Sequence, residues 1–514
     1  MSATARPVPS ERTASGDGVR PVGSDPKPVS TLRSASLAAL VRERAWVLTV
    51  WAGMLGWTIV LFAIVRDGYV NFRTGRFDLG NMVQAVWSTA NGRPLETTHG
   101  ATGEQIVRLG SHVDPFLALL APLWMVWPSP LALAFAQIAV VSLGALPVFW
   151  LGRRHVGSER AAGLLALGYL AYPWLATSAG AAIHPVTFAI PLFLFCVWFL
   201  DTDRLIPFAV CASLAMTTGE LMGLPIAALG IWFALARGRR WAGGGIALLG
   251  VAWTFVAIYF VVPAFSGAGS IFYGFYDQVG GSPEGVIRTV FTDPMTIVGA
   301  LFETYDIVYL IWLGVPLLGL FLLSPGLAAV AIPQLLANDL SDFRSMTDPR
   351  YHSVAAVIPF LIAATVFGIA RLAMPRRAFA AAAVLVSSVA LALIVGPWAR
   401  AIGMAPLGGR PTLSAAHVAA LSDAVSLVPD GVAVSASNTA GSHLSARRYV
   451  YSIPNLGRAE WVVVDLEDSW VVSADSPILT SHPEVVRAFA ARIESRAGWT
   501  TVFRREGVLV FRKV

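Results

Sequence analysis

The chain has 514 residues, of which 56% are hydrophobic and only 13% charged, and its mean hydropathy is +0.65. A soluble domain carries roughly 25% charged residues, so this composition excludes an ordinary soluble enzyme and points to an integral membrane protein. The net charge of +6 does not point to nucleic acid, because the arginines sit beside apolar stretches, where they set membrane orientation.

Residues 1–45 are rich in Pro, Ser, Arg and Gly and read as a disordered cytoplasmic tail. Residues 46–397 then contain apolar stretches of the length that a spanning helix needs, about 17–25 residues, together with some shorter ones. Eleven are expected: 46–65, 130–151, 161–177, 185–200, 206–218, 221–236, 242–262, 307–323, 327–337, 353–370 and 378–396. The runs 206–218, 221–236 and 327–337 are short, which is tolerated where a segment lines a cavity inside the protein. Residues 116–127 form a still shorter amphipathic run ending in Trp and read as a helix lying flat at the interface. Cys196 and Cys211 both fall inside apolar stretches and read as small core residues.

A cytoplasmic N-terminus puts Arg153, Arg154, Arg160, Arg204, Arg237, Arg239, Arg240, Arg371, Arg376 and Arg377 in inner loops, as the positive-inside rule requires. Span parity then places the large first loop, 66–129, outside the membrane, and residues 404–514 with it. Those last residues change character. A helical run at 414–428, strands at 432–435 and 461–465, a helix at 483–496 and a hairpin turning at Glu506-Gly507 describe a small extracytoplasmic α/β domain.

The reactive side chains collect on the outer face. Arg73 and Arg76 precede Phe77-Asp78-Leu79-Gly80, and Gly110-Ser111-His112-Val113-Asp114-Pro115 follows in the same loop. An acid at the surface of the membrane is placed to act as a general base toward an acceptor hydroxyl, and nearby arginines suit a phosphate. The bland alternative is that Asp78 caps the following helix and that His112 and Asp114 hold a turn. His184 and Glu220 stand at the outer ends of spans, where an ionisable group is either functional or simply solvated. Arg350-Tyr351-His352 closes the last outer loop, as a phosphate contact or as part of a plain aromatic belt and salt-bridged loop. Gly243-Gly244-Gly245 reads as helix packing. No Walker A loop, dinucleotide fingerprint or His-Glu-x-x-His motif occurs, so an energy source would have to come from the substrate or an ion gradient.

Several of these segments resemble a prokaryotic family of predicted polytopic membrane proteins of unknown function, grouped with the GT-C glycosyltransferases. The resemblance is carried by Phe77-Asp78-Leu79-Gly80, Gly110 to Pro115, Leu146 to Arg154, His184-Pro185 and Arg350-Tyr351-His352. In the C-terminal region it is carried by Ser435-Ala436-Ser437-Asn438, His443-Leu444-Ser445 and Arg447-Arg448. It spans roughly residues 65–512. It implies a GT-C-like fold, a polyprenyl-phosphate-sugar donor and an extracytoplasmic acceptor. Asp78 would be the catalytic base or acceptor-binding acid, with His112 and Asp114 lining the same cavity and Arg350 and His352 facing the donor phosphate. Relatives often show a Lys-Glu-Asp-like run where this chain has Thr218-Gly219-Glu220-Leu221; only the central acid is kept, so no required metal is expected. A transporter or flippase would place ionisable residues near mid-membrane within inverted repeats, and a non-catalytic envelope scaffold would not need Asp78 at all.

Overall fold

The computed structural model describes residues 44–398, 413–472 and 479–514. The expected tail therefore lies outside the described residues but for Arg44 and Ala45, and so does the expected boundary near residue 404. The fold is mostly helical, with a small C-terminal sheet.

Among the described residues four helices are long and apolar enough to cross a membrane: Ala45–Val70, Pro130–Val156, Arg240–Ser266 and Met374–Val395. A bent pair, Pro294–Leu301 and Thr304–Leu317, could form a fifth crossing, and Pro185–Asp201, Leu205–Met216, Glu220–Ala236 and Ile358–Ala370 are shorter apolar helices. Their boundaries follow local chemistry. Ser129 caps the helix that starts at Pro130, its hydroxyl accepting from the Leu131 amide. Ser158 does the same for Glu159–Ala171 through the Ala161 amide.

Three expected segments are not single helices. The run 161–177 breaks at Tyr172, whose ψ of 119° is the extended conformation forced on a residue before proline; a second helix, Pro173–Gly180, follows. The run 307–323 ends its helix at Gly314, and Leu318 and Gly319 then turn left-handed at φ 54° and 65°. The run 327–337 is divided among Pro325–Ala328, Ala329–Ala331 and Ile332–Asp339. The interfacial segment is also split, into a 3-10 turn Pro115–Leu120 and a helix Ala121–Val126. Its amphipathic character remains, with Leu117, Leu120 and Trp124 buried and Leu119, Met125, Val126 and Trp127 exposed.

Helices Gly223–Ala236 and Arg240–Val256 pack backbone to backbone. A Cβ on Gly230 would lie 2.6 Å from the Gly243 carbonyl, and one on Gly250 would lie 2.3 Å from the Gly223 carbonyl. Of the three consecutive glycines, only Gly243 makes this contact; Gly244 and Gly245 face open space.

In the C-terminal region, strands β3 (Val434–Ala436), β4 (Val450–Ser452), β5 (Trp461–Asp465), β8 (Trp499–Arg505) and β9 (Val508–Lys513) form one sheet and β6 (Trp470–Val472) and β7 (Leu479–Ser481) a separate pair, while β1 (Glu96–Thr98) and β2 (Gln105–Val107) pair in the first loop. The sheet runs in the order β4-β3-β5-β9-β8, with β3 parallel to β4 and β5 and the remaining pairs antiparallel. Both faces are covered. Val463 and Val510 join Ala420, Leu421 and Ala440 on one side, and Val462, Val464 and Phe511 join Phe489 and Ile493 on the other. That double burial explains why β5 reads as an unbroken apolar run. The turn between β8 and β9 has Glu506 and Gly507 both at positive φ, 48° and 75°, as a two-residue hairpin demands.

One non-local feature positions everything that follows. Phe72, at the exit of the first helix, is buried inside the core of this C-terminal region, so the first loop and the sheet are a single packed unit.

Candidate functional site

Pro185–Asp201 is a continuous helix of 17 residues, about 25 Å long, and a polar cluster sits at each of its ends. At its N-terminal end stands His184, whose ring stacks face to face on His352 with centroids 3.7 Å apart. The His184 amide donates to Gln137 Oε1, and Gln137 Nε2 donates to the carbonyls of Ala179 and Ala182. A single buried glutamine thereby fixes the loop that presents His184. Both rings are held well below the ordinary histidine range, His184 at about 3, chiefly because burial opposes the charged form. The Asp78 carboxylate pulls His352 the other way, whereas Arg108 and His112 oppose protonation of both rings.

The loop 108–114 supplies the opposite wall. Arg108 forks onto Asp114, with its Nε 2.8 Å and its terminal nitrogen 2.8 Å from Oδ2. Both residues are buried, and burial pushes the Asp114 carboxyl up even beside that guanidinium. His112 Nδ1 lies 3.3 Å from Glu220 Oε1, and the Val113 amide donates to Glu220 Oε2 at 3.1 Å. The His112 ring also stacks on Phe272 at 4.5 Å. Its side chain stays 40% exposed, and because Glu220 takes the Nδ1 edge, the Nε2 edge faces away from that carboxylate.

Asp78 lies in a π-turn, Arg76–Gly80, closed by the Asn81 amide on the Arg76 carbonyl and by the Gly80 amide on the Gly75 carbonyl. Such turns insert one extra residue and are common at functional sites. Asn81 Nδ2 donates to the Phe77 carbonyl at 2.5 Å. The turn leans against helix Asn438–His443: a Cβ on Gly80 would sit 2.4 Å from Ser445 Oγ, and one on Gly75 would sit 2.4 Å from Asn438 Nδ2. Side chains there would push the turn off its support.

Thus the fold brings together Asp78, His112, Asp114, His184, Glu220 and His352. Other expected residues are committed elsewhere. Arg73 pairs with Asp67. Arg76 was expected to meet a phosphate, but it is 1% exposed and donates to the carbonyls of Thr98 and Val450 and to Ser452 Oγ. It holds the first loop to the sheet edge at β4. Arg350 lies in the same loop as His352 but forks onto Asp348, and Tyr351 is exposed. Sequence reasoning missed Arg108, one residue before the segment it singled out, and Gln137, a lone amide within an apolar helix, which is itself a signal. Among the described residues, no group of three or more His, Cys, Asp or Glu side chains is arranged to hold a metal ion.

A narrow crevice beside the membrane-crossing helices is lined by Val65, Tyr69, Leu79, Ala134, Gln137 and Ile183 among others. Leu79 adjoins Asp78 and Ile183 adjoins His184, so the crevice opens beside the site.

Residues 68–510 match the family described as predicted membrane protein (DUF2079). No curated protein matches the chain. Among solved structures it is similar to ArnT from Cupriavidus metallidurans bound to undecaprenyl phosphate, at 14% identity and a TM-score of 0.47, covering 89% of this chain and 98% of that one. The same protein in the apo state gives 14% identity and a TM-score of 0.49, covering 90% of this chain and 98% of that one. Arabinofuranosyltransferase AftD from Mycobacteria gives 15% identity and a TM-score of 0.44, covering 91% of this chain but only 40% of that one.

Proposed function

The chain belongs to the DUF2079 family of predicted membrane proteins, and from that premise we propose that it is a multi-pass glycosyltransferase of the GT-C type. It moves a sugar from a polyprenyl-phosphate donor to an extracytoplasmic glycan, lipid or protein. Its N-terminus is cytoplasmic, and the α/β region stands outside with the cluster.

The observation that carries this reading is the convergence of Asp78, the His184–His352 stack and the His112–Glu220 pair at one end of the bundle, beside an apolar crevice. The reaction is a single displacement. The acceptor oxygen attacks the anomeric carbon, Asp78 takes its proton, and the bond to the lipid phosphate breaks. The phosphate is itself the leaving group, so no nucleotide is consumed. Negative charge grows on the departing phosphate and needs preorganised donors. The Nε2 edge of His112 is the partly exposed donor nearest to that role, and Arg350 and Tyr351 stand at the rim. The two buried imidazoles stay neutral and add no charge of their own to the site. No metal is required in this scheme, so transfer should survive a chelator.

The test is transfer by the purified, reconstituted protein from a panel of radiolabelled polyprenyl-phosphate sugars to an envelope extract. Asp78→Asn should lose about 10²- to 10⁴-fold in rate, the usual share of a general base, while remaining folded. Equal transfer by both proteins removes Asp78 from the chemistry. Absence of transfer with every donor sinks the assignment.

A further inference from the structure

The C-terminal region invites the reading of an acceptor-binding accessory, yet its contacts run inward to the acidic turn. Asn438, 6% exposed, accepts from the Phe77 amide through Oδ1 at 2.9 Å, one residue before Asp78. The hydroxyls of Ser442 and Thr74 meet at 3.1 Å. The His443 ring is sandwiched between Tyr69 and Phe72, with centroid separations of 4.2 and 4.1 Å. From the other direction Gln84 donates to the carbonyls of Arg447 and Arg448, and Arg448 pairs with Glu96 at 3.2 Å. The short helix Asn438–His443 is itself held in place, because Asp468 accepts from both the amide and the hydroxyl of Thr439, at 2.7 and 2.9 Å.

We infer that the α/β region is a built-in clamp for the acid-bearing turn, with Asn438 as the positioning residue that sets where the Asp78 carboxylate stands. The physical reason is the weakness of the turn alone. Five residues closed by long i to i+5 bonds have little intrinsic stability, and the backbone of such a turn wanders unless tertiary contacts hold it. Asn438 supplies an acceptor to an amide that the turn does not satisfy internally, while Phe72 and Arg76 tie down the chain entering it. Misplacing a catalytic group by about 1 Å can cost on the order of 100-fold in rate. The catalytic part of this inference rests on the glycosyltransferase reading; the clamp itself does not.

The experiment uses full-length protein with three substitutions. Asn438→Ala removes the acceptor, Asn438→Asp retains one, and Gly75→Ala pushes the Asn438 side chain aside from the loop's own face. Hydrogen exchange of the peptide spanning residues 72–82 reports the clamp independently of activity, with the melting temperature recorded to show that each variant is folded. Asn438→Ala and Gly75→Ala should both speed exchange at the Phe77 amide several-fold, as the loss of one hydrogen bond predicts, and Asn438→Asp should restore it. In the transfer assay the same two variants should lose at least tenfold in kcat, with the lipid-donor KM changed less than about twofold, and Asn438→Asp should recover most of the rate. Unchanged exchange in both variants overturns the clamp. Faster exchange with unchanged kcat overturns the positioning role. If the wild type transfers nothing, the glycosyltransferase reading fails, while the exchange data still decide the clamp.

Discussion

Two polar clusters terminate the helix Pro185–Asp201, and they are built on opposite principles. At its C-terminal end one carboxylate, Asp201, with its side chain fully buried, meets Arg154 Nε at 2.9 Å, the His155 ring through Nε2 at 2.9 Å, and Arg237. Arg377 adds a hydrogen bond to the Val156 carbonyl nearby. These residues come from segments assigned to inner loops, and every charge has a close opposite. At the N-terminal end the acids Asp78 and Glu220 share their space with two stacked imidazoles that burial keeps neutral and with the partly exposed His112. The first arrangement is saturated and structural. The second carries two buried neutral rings and a partly exposed His112 beside its acids, groups of the kind that a substrate meets.

The sharpest way to break this contrast is at Asp201. Asp201→Leu removes the carboxylate that two guanidiniums and an imidazole share, and because Arg154 and Arg237 are about half and a third exposed the loss should be about 1–3 kcal/mol. Unfolding of the detergent-solubilised variant should show a loss of that size, and a loss below about 1 kcal/mol would mean that the inner cluster is not structural. A second test is by pH. The His184 ring, held at about 3 by burial, and the unfolded chain are both neutral above roughly pH 6.5, so stability is flat there. As pH falls from about 6.5 toward 3, the unfolded chain takes up a proton that the folded ring refuses. Stability should drop by about 1.4 kcal/mol per pH unit for this ring, with His352 acting in the same sense. His184→Gln should remove one ring's share of that slope; an acid limb identical to wild type would show that the stack carries a proton or opens. The smallest effect is expected at Arg350, whose pairing with Asp348 is largely solvated. Arg350→Ala should change stability by less than about 1 kcal/mol, and a larger loss would place that pair within the packed cluster.

Much of the local architecture was legible in the residues. The strand Trp461–Asp465 and the Glu506-Gly507 hairpin follow from apolar runs and turn chemistry, as do the helix starts at Pro130 and Pro185. The apolar runs that failed as single helices contain a proline or a left-handed pair, whose effect depends on neighbours that can accept a break. Within the candidate site, the types of residue were visible but their allegiance was not. Arg76 and Arg108 look alike in sequence; one anchors a sheet edge and the other pairs with Asp114 beside the histidines. Arg73 and Arg350 suit a phosphate by type, but each has a carboxylate partner close by in the chain, Asp67 and Asp348, as the salt-bridged alternative for the Arg350 loop expects.

The sequence by itself determined that the chain is a membrane protein, where its apolar segments lie and which loops carry the acids and histidines, because composition and periodicity act over short stretches of chain. Only the tertiary structure decided that the Phe77 amide would find Asn438, 361 positions away, and that His184 would stack on His352. Partnerships of that kind are chosen by packing among distant segments, where a few ångströms decide whether a polar group is a ligand, a strut or a spectator.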